Sequence, residues 1–400
     1  MHMVPRTLAA TLRQAVKRYP VVSVTGPRQS GKTTLVREVL KGYEYVSLEL
    51  PDERGLAVRD PRAFLGQFGG PVIIDEAQRA PELFSYIQVA VDEQSDAGRF
   101  VLTGSQNFLL LQAVSQSLAG RCAVLHLLPF SQAELGRRPP AELPSLVMRI
   151  RDRPRTPPRP LVDTLFTGFY PRIHDRNLPP REWLANYYQT YLERDVRNVL
   201  NVGDIEAFGR FVRLCAARNA QLLNLSSLAS DCGITHTTAS RWLSVLEASF
   251  LLLLLRPHHN NLGKRLMKSP KLYFLDCGLL CFLLGIRSPA EVVHHAQRGA
   301  IFETLILSEL LKNFLHRGEP SELYFWRDST GHEVDFVVDL GNHQIGIEAK
   351  SGETIAEDFF DGLRYWRALA RRKAPSTALI YGGGRRFVQD DIPVHPWFVL

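Results

Sequence analysis

Apolar residues in the first third of the chain fall in short, nearly continuous runs, each followed by a segment with helical spacing. Val21-Val22-Ser23-Val24-Thr25 is the first run, and Leu35-Val36-Arg37-Glu38-Val39-Leu40 is the helical segment after it. Tyr43 to Glu49 alternates like a second strand, and Val72-Ile73-Ile74-Asp75 reads as a buried third. Arg99 to Thr103 and Cys122 to Leu127 supply two more. Apolar β-branched runs alternating with helices are the pattern of a parallel sheet covered on both faces. A helix with a basic outer face over 6–18 leads in and ends at Pro20. Residues 52–68 read as loop and short helix, and 108–118 as helix.

The pattern changes after residue 135. Residues 136–160 are rich in proline and arginine and read as a linker, either an inert exposed tether or a basic strap for nucleic acid. Helical periods resume over 161–205 as a connector, with a turn at Gly168-Phe169-Tyr170-Pro171 and a longer helix over 183–195. Within 206–287, a helix over 207–217 precedes a helix, the turn Gly233-Ile234, and a second helix over 235–247. The apolar stretches 250–255 and 271–275 follow as strands, which predicts a winged helix-turn-helix domain. Its second helix, capped by Thr235 or Thr237, carries His236, Thr237, Ser240 and Arg241 on the groove-facing side. Such domains bind DNA or dock proteins. Residues 288–400 form a third unit: a loop over 288–296, a helix over 302–312, strands at 323–327, 333–338, 344–350 and 377–381, and a helix over 358–370 before the turn at 382–384. The expected architecture is therefore α/β: a parallel sheet over 1–135, then the helix-turn-helix module, then a smaller α/β domain.

Composition supports this division. Four hundred residues exceed one ordinary core, and 45% hydrophobic content is that of a folded protein. A net charge of +7 mildly favours polyanionic partners. Five cysteines (Cys122, Cys215, Cys232, Cys277 and Cys281) in apolar settings predict reduced thiols in a cytoplasmic protein. Cys277 and Cys281 lack a second ligand pair for zinc. No stretch approaches the ~18 apolar residues of a membrane span, and no leader is expected at the start of the chain.

The chemistry is concentrated at Gly26-Pro27-Arg28-Gln29-Ser30-Gly31-Lys32-Thr33-Thr34, which fits G-x-x-x-x-G-K-[ST] between a strand and a helix. The two glycines let backbone N–H groups face a phosphate, and the helix start adds its positive end. Lys32 would reach the β- and γ-phosphates of ATP, and the Thr33 hydroxyl a Mg2+ ion. Asp75 would share that ion, and Glu76 would orient and deprotonate the attacking water. Ser105 and Gln106, just past the fourth strand, are candidates to sense the γ-phosphate, or Ser105 caps the next helix. Arg121 either satisfies a helix end at the surface or reaches the nucleotide of a neighbouring copy. In the third unit Glu348 and Lys350 share one face of a strand, and Asp335 comes from the strand before it. With Glu303 these carboxylates would hold a second divalent metal against a phosphodiester, Lys350 serving the water. The alternative is a salt-bridged strand pair.

The order of these motifs resembles bacterial and archaeal ATP-binding proteins of the extended AAA+ class, a P-loop domain followed by the region called DUF4143. The likeness rests on residues 25–34, Ile73-Ile74-Asp75-Glu76-Ala77-Gln78, Leu102-Thr103-Gly104-Ser105, Leu118-Ala119-Gly120-Arg121, Tyr191-Leu192-Glu193-Arg194-Asp195, Glu333-Val334-Asp335-Phe336 and residues 347–352. It implies that Lys32 and Thr33 are the Walker A pair and Asp75 and Glu76 the Walker B pair. It further implies Ser105 or Gln106 as sensor 1, and Arg121 as an arginine finger acting within a homo-oligomer. The last unit is similar to PD-(D/E)xK nucleases through Glu303, Asp335, Glu348 and Lys350. Expected partners are ATP, DNA and further copies of the chain, with no membrane. Two functions follow: an ATPase whose cycle drives a winged-helix and nuclease-like module on nucleic acid, or a nucleotide-gated protein-binding switch with an inactive nuclease-like domain.

Overall fold

The computed structural model describes residues 4–94, 96–104, 117–147, 157, 159–191, 205–258, 269–341, 343–369 and 376–400. By contacts the chain divides into two units. One comprises Met1–Phe130, Ala248–Phe250 and Phe314–Pro320; the other comprises Ser131–Glu247, Leu251–Asn313 and Ser321–Leu400. The helix-turn-helix stretch and the C-terminal strands thus fall in the same unit.

In the first unit β1 (Val21–Thr25), β2 (Glu44–Ser47), β3 (Val72–Asp75), β4 (Phe100–Gly104) and β5 (Cys122–His126) form a parallel sheet ordered β2-β3-β4-β1-β5. Alternate residues of each strand face opposite layers. Val21, Ile74 and Leu102 pack with Leu83, Phe84 and Ile87 of the helix Leu83–Glu93. Val22, Val24, Ile73 and Val101 pack on the other face with Leu35 and Val36 of the helix Lys32–Val39, and with Leu8 and Leu12 of the helix Leu8–Ala15. Burial on both sides is why these strands read as unbroken apolar runs. The connection leaving β1 crosses to the far edge at β2, while β5 lies on the other side of β1. Such a parting of connections at strand carboxyl ends opens a crevice for a ligand.

The second unit holds two sheets. β6 (Gln221–Leu222), β7 (Leu252–Leu255) and β8 (Lys271–Phe274) pair antiparallel in the order β6-β8-β7. They follow or flank the helices Ile205–Ala217, Leu225–Cys232 and His236–Ala248. Gly233, at φ 69, ends the middle helix, with Gly233 N bonded to Ser230 O and Ile234 N to Ala229 O, so the chain turns sharply into the next helix. Thr235 Oγ1 accepts from Thr238 N and is the cap, rather than Thr237. Trp242, Leu243 and Leu246 are buried, Trp242 meeting Phe208 and Phe211 edge-on, whereas His236, Thr237, Ser240 and Arg241 are exposed together.

The larger sheet contains β9 (Leu323–Arg327), β10 (Glu333–Asp339), β11 (Gln344–Lys350), β12 (Ser376–Tyr381), β13 (Phe387–Gln389) and β14 (Ile392–Pro396), ordered β13-β14-β12-β11-β10-β9. β10 runs antiparallel to β9 and β11, while β12 and β14 continue parallel. The helix Asp361–Leu369 covers one face, sinking Leu363 and Trp366 among Trp326, Val334, Val337 and Leu379.

Three features depart from the sequence expectation. The stretch 288–296 is not all loop: Pro289–His294 is helical, started by Ser288 and Pro289 and held by buried Val292. The sheet does not stop at the glycine turn, because β13 and β14 follow it. The proline- and arginine-rich stretch is partly packed. Leu143 and Leu146 are buried, Leu146 O accepts from His395 Nε2 at 2.6 Å, and Arg138 donates to Phe398 O at 2.8 Å. Among the described residues no helix is long and apolar enough to cross a membrane.

Gly346 on β11 lets the Trp366 ring lie against the strand, since a Cβ there would fall 2.7 Å from the ring. Gly346→Ala is expected to destabilise the fold by about 1–3 kcal/mol through overpacking, measured as a lower denaturant midpoint at unchanged slope.

Candidate nucleotide site and a buried carboxylate–lysine cluster

The loop after β1 is shaped by its glycines. Gly26 has φ 150 and Gly31 φ 94, and a Cβ on Gly26 would lie 2.1 Å from Leu127 O. Arg6 ties the loop down, donating to Ser30 O at 2.7 Å and to Leu128 O at 2.6 Å. Lys32 opens the helix Lys32–Val39 and donates to Gly26 O at 3.0 Å and Pro27 O at 2.8 Å, which fixes its ammonium at the loop.

One residue further on, Thr33 Oγ1 donates to the Asp75 carboxylate at 3.1 and 3.2 Å. The two residues are far apart in the sequence, and the fold brings them together because the loop and the end of β3 share one edge of strand ends. Asp75 is only 7% exposed, so its carboxylate requires donors. Two come from outside the phosphate loop and the acid pair. Tyr45 Oη donates to Oδ2 at 2.8 Å, and Thr103 Oγ1 donates to Oδ1. Burial first, then the Asp75 charge and hydrogen bond, push the Tyr45 hydroxyl up to about 12, so it remains a donor through the neutral range. The Thr33 hydroxyl and Asp75 carboxylate are hard oxygen donors within hydrogen-bond reach of each other, which fits a Mg2+ ion.

Glu76 follows in the left-handed region at φ 56, a conformation costing about 1–2 kcal/mol for a residue with a Cβ and found preferentially at functional sites. Buried Gln78 donates through Nε2 to Glu76 Oε2, a contact absent from the sequence analysis. Ser105 and Gln106 lie outside the described residues. Arg121 is held by Asp92 through Nε–Oδ1 at 2.5 Å and Nη2–Oδ2 at 2.8 Å. Its carbonyl accepts from Val21 N at the start of β1, so it sits at the opposite end of the sheet from Lys32.

The second unit gathers another set of ionisable groups. Glu303 on the helix Arg298–Leu315 accepts from Tyr273 Oη at 2.8 Å. Asp335 accepts from Ala349 N at 2.9 Å and lies 3.9 Å from Lys350 Nζ, which is 2.9 Å from Glu348 Oε2. Lys271 of β8, itself buried, donates to Glu333, which also holds Arg327 at 3.0 Å. The pairing of β9 and β10 shifts between Val334 and Val337, a bulge that re-aims Asp335 toward β11.

These groups share their protons. Burial raises the Glu348 carboxyl well above its ordinary range, and the Asp335 charge adds to it. Burial also raises Glu303, Asp335 again adding, to about 8. Asp335 resists burial because Lys350 and Lys271 hold its carboxyl below the ordinary value. Burial works against charge on Lys271 and Lys350, but the carboxylates outweigh it and both are raised. The structure brings Glu303, Asp335, Glu348 and Lys350 into one cluster, but among the described residues no group of three or more His, Cys, Asp or Glu is set to hold a metal ion. Tyr273 Oη, Ala349 N and Lys350 Nζ approach the oxygens of Glu303, Asp335 and Glu348 respectively. Lys271, Tyr273 and Glu333 were missed, and the available signal was a lysine inside the apolar run that became β8.

Three family descriptions match the chain: "AAA domain" over residues 18–136, "Domain of unknown function (DUF8612)" over 159–290 and "Domain of unknown function (DUF4143)" over 298–398. The chain thus carries an AAA-type P-loop domain and a DUF4143 domain, and the latter excludes the helix-turn-helix stretch, which belongs to the middle match. Uncharacterized protein Rv2008c of Mycobacterium tuberculosis is 32% identical over 390 residues, covering 97% of this chain and 82% of its own. Uncharacterized protein Mb2031c of Mycobacterium bovis is similar to the same extent. Among solved structures, the Walker-type ATPase PABY2304 of Pyrococcus abyssi aligns with a TM-score of 0.42 and 17% identity, covering 69% of this chain and 94% of that one. AMPPCP-bound DnaA from Aquifex aeolicus aligns at 0.27 and 13%, covering 60% and 85%.

The raised Glu303 carboxyl has a consequence for stability. A folded value of about 8 against an ordinary 4.5 means that the folded state keeps a proton which the unfolded chain releases. Stability is therefore expected to fall as pH rises from about 4.5 to 8, and Glu303→Gln is expected to flatten that decline in denaturant unfolding measured across the interval.

Proposed function

The chain belongs to the family of these two mycobacterial proteins, and on that premise we propose that it is a Mg2+-dependent ATPase whose nucleotide cycle acts through its C-terminal half. The observation that carries this is the meeting of Thr33 with Asp75 beside a loop whose lysine is already in place. Backbone N–H groups within residues 28–34 cradle the phosphates, aided by the start of the helix Lys32–Val39. Lys32 turns its ammonium to the β- and γ-phosphates. Thr33 and Asp75 would hold Mg2+, which when bound neutralises charge on the phosphate oxygens. Glu76, oriented by Gln78, accepts a proton from water aligned with the γ-phosphate. Ser105 or Gln106 senses that phosphate. Arg121 serves the nucleotide of a neighbouring copy, a role supported by its exposure and its distance from its own loop, and it would have to leave Asp92 to do so.

In the second half, the helices Leu225–Cys232 and His236–Ala248 with β7 and β8 form a winged helix-turn-helix, and Thr237, Ser240 and Arg241 face a partner. Asp335, Glu348, Lys350 and Glu303 on a mixed sheet form a nuclease-like module. A specific observation favours the second reading for that module, in which it serves binding rather than cleavage. Lys350 lies 2.9 Å from Glu348 and 3.9 Å from Asp335, and Lys271 adds a buried cation close by.

Glu76→Gln is expected to keep ATP affinity while lowering hydrolysis at least ~100-fold, and Lys32→Ala to weaken both. Turnover and nucleotide titrations check this, and unchanged turnover in Glu76→Gln removes the assignment of the base. Supercoiled DNA is expected to survive incubation with the protein and manganese. Nicking that disappears in Lys350→Ala would reinstate an active nuclease.

A further inference from the structure

Asp75 draws a hydroxyl donor from a residue outside the nucleotide-binding motifs. Tyr45 lies on the edge strand β2, opposite Ile73 in the register, and its ring reaches along the strand so that Oη meets Asp75 Oδ2 at 2.8 Å. The Arg37 guanidinium stands 4.6 Å over the centre of that ring. Arg37 follows Thr33 by four residues on the helix Lys32–Val39, hence on the same helical face. The ring is therefore pinned between the helix that supplies Thr33 and the strand that supplies Asp75. Thr103 holds the other carboxylate oxygen, and Thr33 bridges both at 3.1 and 3.2 Å. Rotation of the carboxylate would break the bonds to Tyr45 and Thr103 together.

We propose that Tyr45 is a positioning residue that presets the Asp75 carboxylate toward Thr33 and so sets the divalent-cation affinity of the nucleotide complex. This rests on the ATPase function proposed above. Tyr45 itself touches neither nucleotide nor cation; it acts through Asp75. A carboxylate already oriented loses little freedom on accepting a cation, and removing such an outer partner typically costs ~10–100-fold in metal affinity. A merely structural tyrosine would leave another signature, because its loss would weaken nucleotide binding equally with and without the cation.

The test uses the full chain, Tyr45→Phe, a fluorescent ATP analogue and a magnesium titration, with a parallel titration in EDTA. Tyr45→Phe keeps the ring under Arg37 and removes only the hydroxyl. The expected result is a midpoint for Mg2+ raised about 10-fold, unchanged affinity in EDTA, and a turnover number recovered at high Mg2+. Identical Mg2+ midpoints in the two proteins overturn the inference, as does a parallel loss of affinity in both titrations. Wild-type protein that binds no nucleotide overturns the ATPase reading itself, and the inference with it, and so is distinguishable from a failure confined to Tyr45.

Discussion

A carboxylate with almost no access to water must be met by donors, and in the first unit that requirement falls on Asp75. Its partners come from the loop helix, from β2 and from β4. Those elements are separated along the chain and become neighbours only in the parallel order β2-β3-β4-β1-β5. The register aligns Thr25 with Gly104 and Ser47 with Asp75, so the strand ends form one edge. The apolar interior of the sheet makes that edge rigid, and the polar residues at its rim inherit fixed positions. The polar rim at this edge is a consequence of how a buried parallel sheet ends.

The second unit meets a related constraint with a different solution. Asp335, Glu348 and Lys271 are buried close together, with Glu303, Glu333 and Lys350 partly buried beside them, and each buried charge would be costly alone. The bulge in β10 turns Asp335 toward β11, where Ala349 N and Lys350 receive it. Tyr273 and Lys271 reach the same acids from β8, so the small antiparallel sheet and the large mixed sheet are joined by charge as well as by apolar packing. The DUF4143 stretch thus completes its polar cluster with residues from the preceding match, which explains why the two belong to a single compact unit.

Much of the fold was legible in the sequence wherever local pattern and burial agree. The strands of the first sheet, the turn at Gly233 and the strands carrying Asp335 and Glu348 follow from periodicity and glycine placement. Elements supported by long-range contacts were harder to see. β13 and β14 are short and pair with each other, β14 also pairing with β12, and the helix Pro289–His294 depends on a single buried valine. Arg138, Leu143 and Leu146 sit in a stretch whose composition suggests a tether, yet they are packed against the end of the chain.

For the candidate sites the division follows the range of the interaction. By itself the sequence determined the phosphate loop, with Lys32 and Thr33 at its end, and the acids Asp75 and Glu76, because a glycine-rich turn between strand and helix and a strand ending in acids are local events. It likewise placed Glu348 and Lys350 on one face, since two residues along a strand point the same way. Only the tertiary structure decided who hydrogen-bonds to those groups. Tyr45 and Thr103 at the first site, and Lys271 and Tyr273 at the second, are chosen by strand order and by the need to satisfy buried charge, and neither leaves a fixed spacing in the chain.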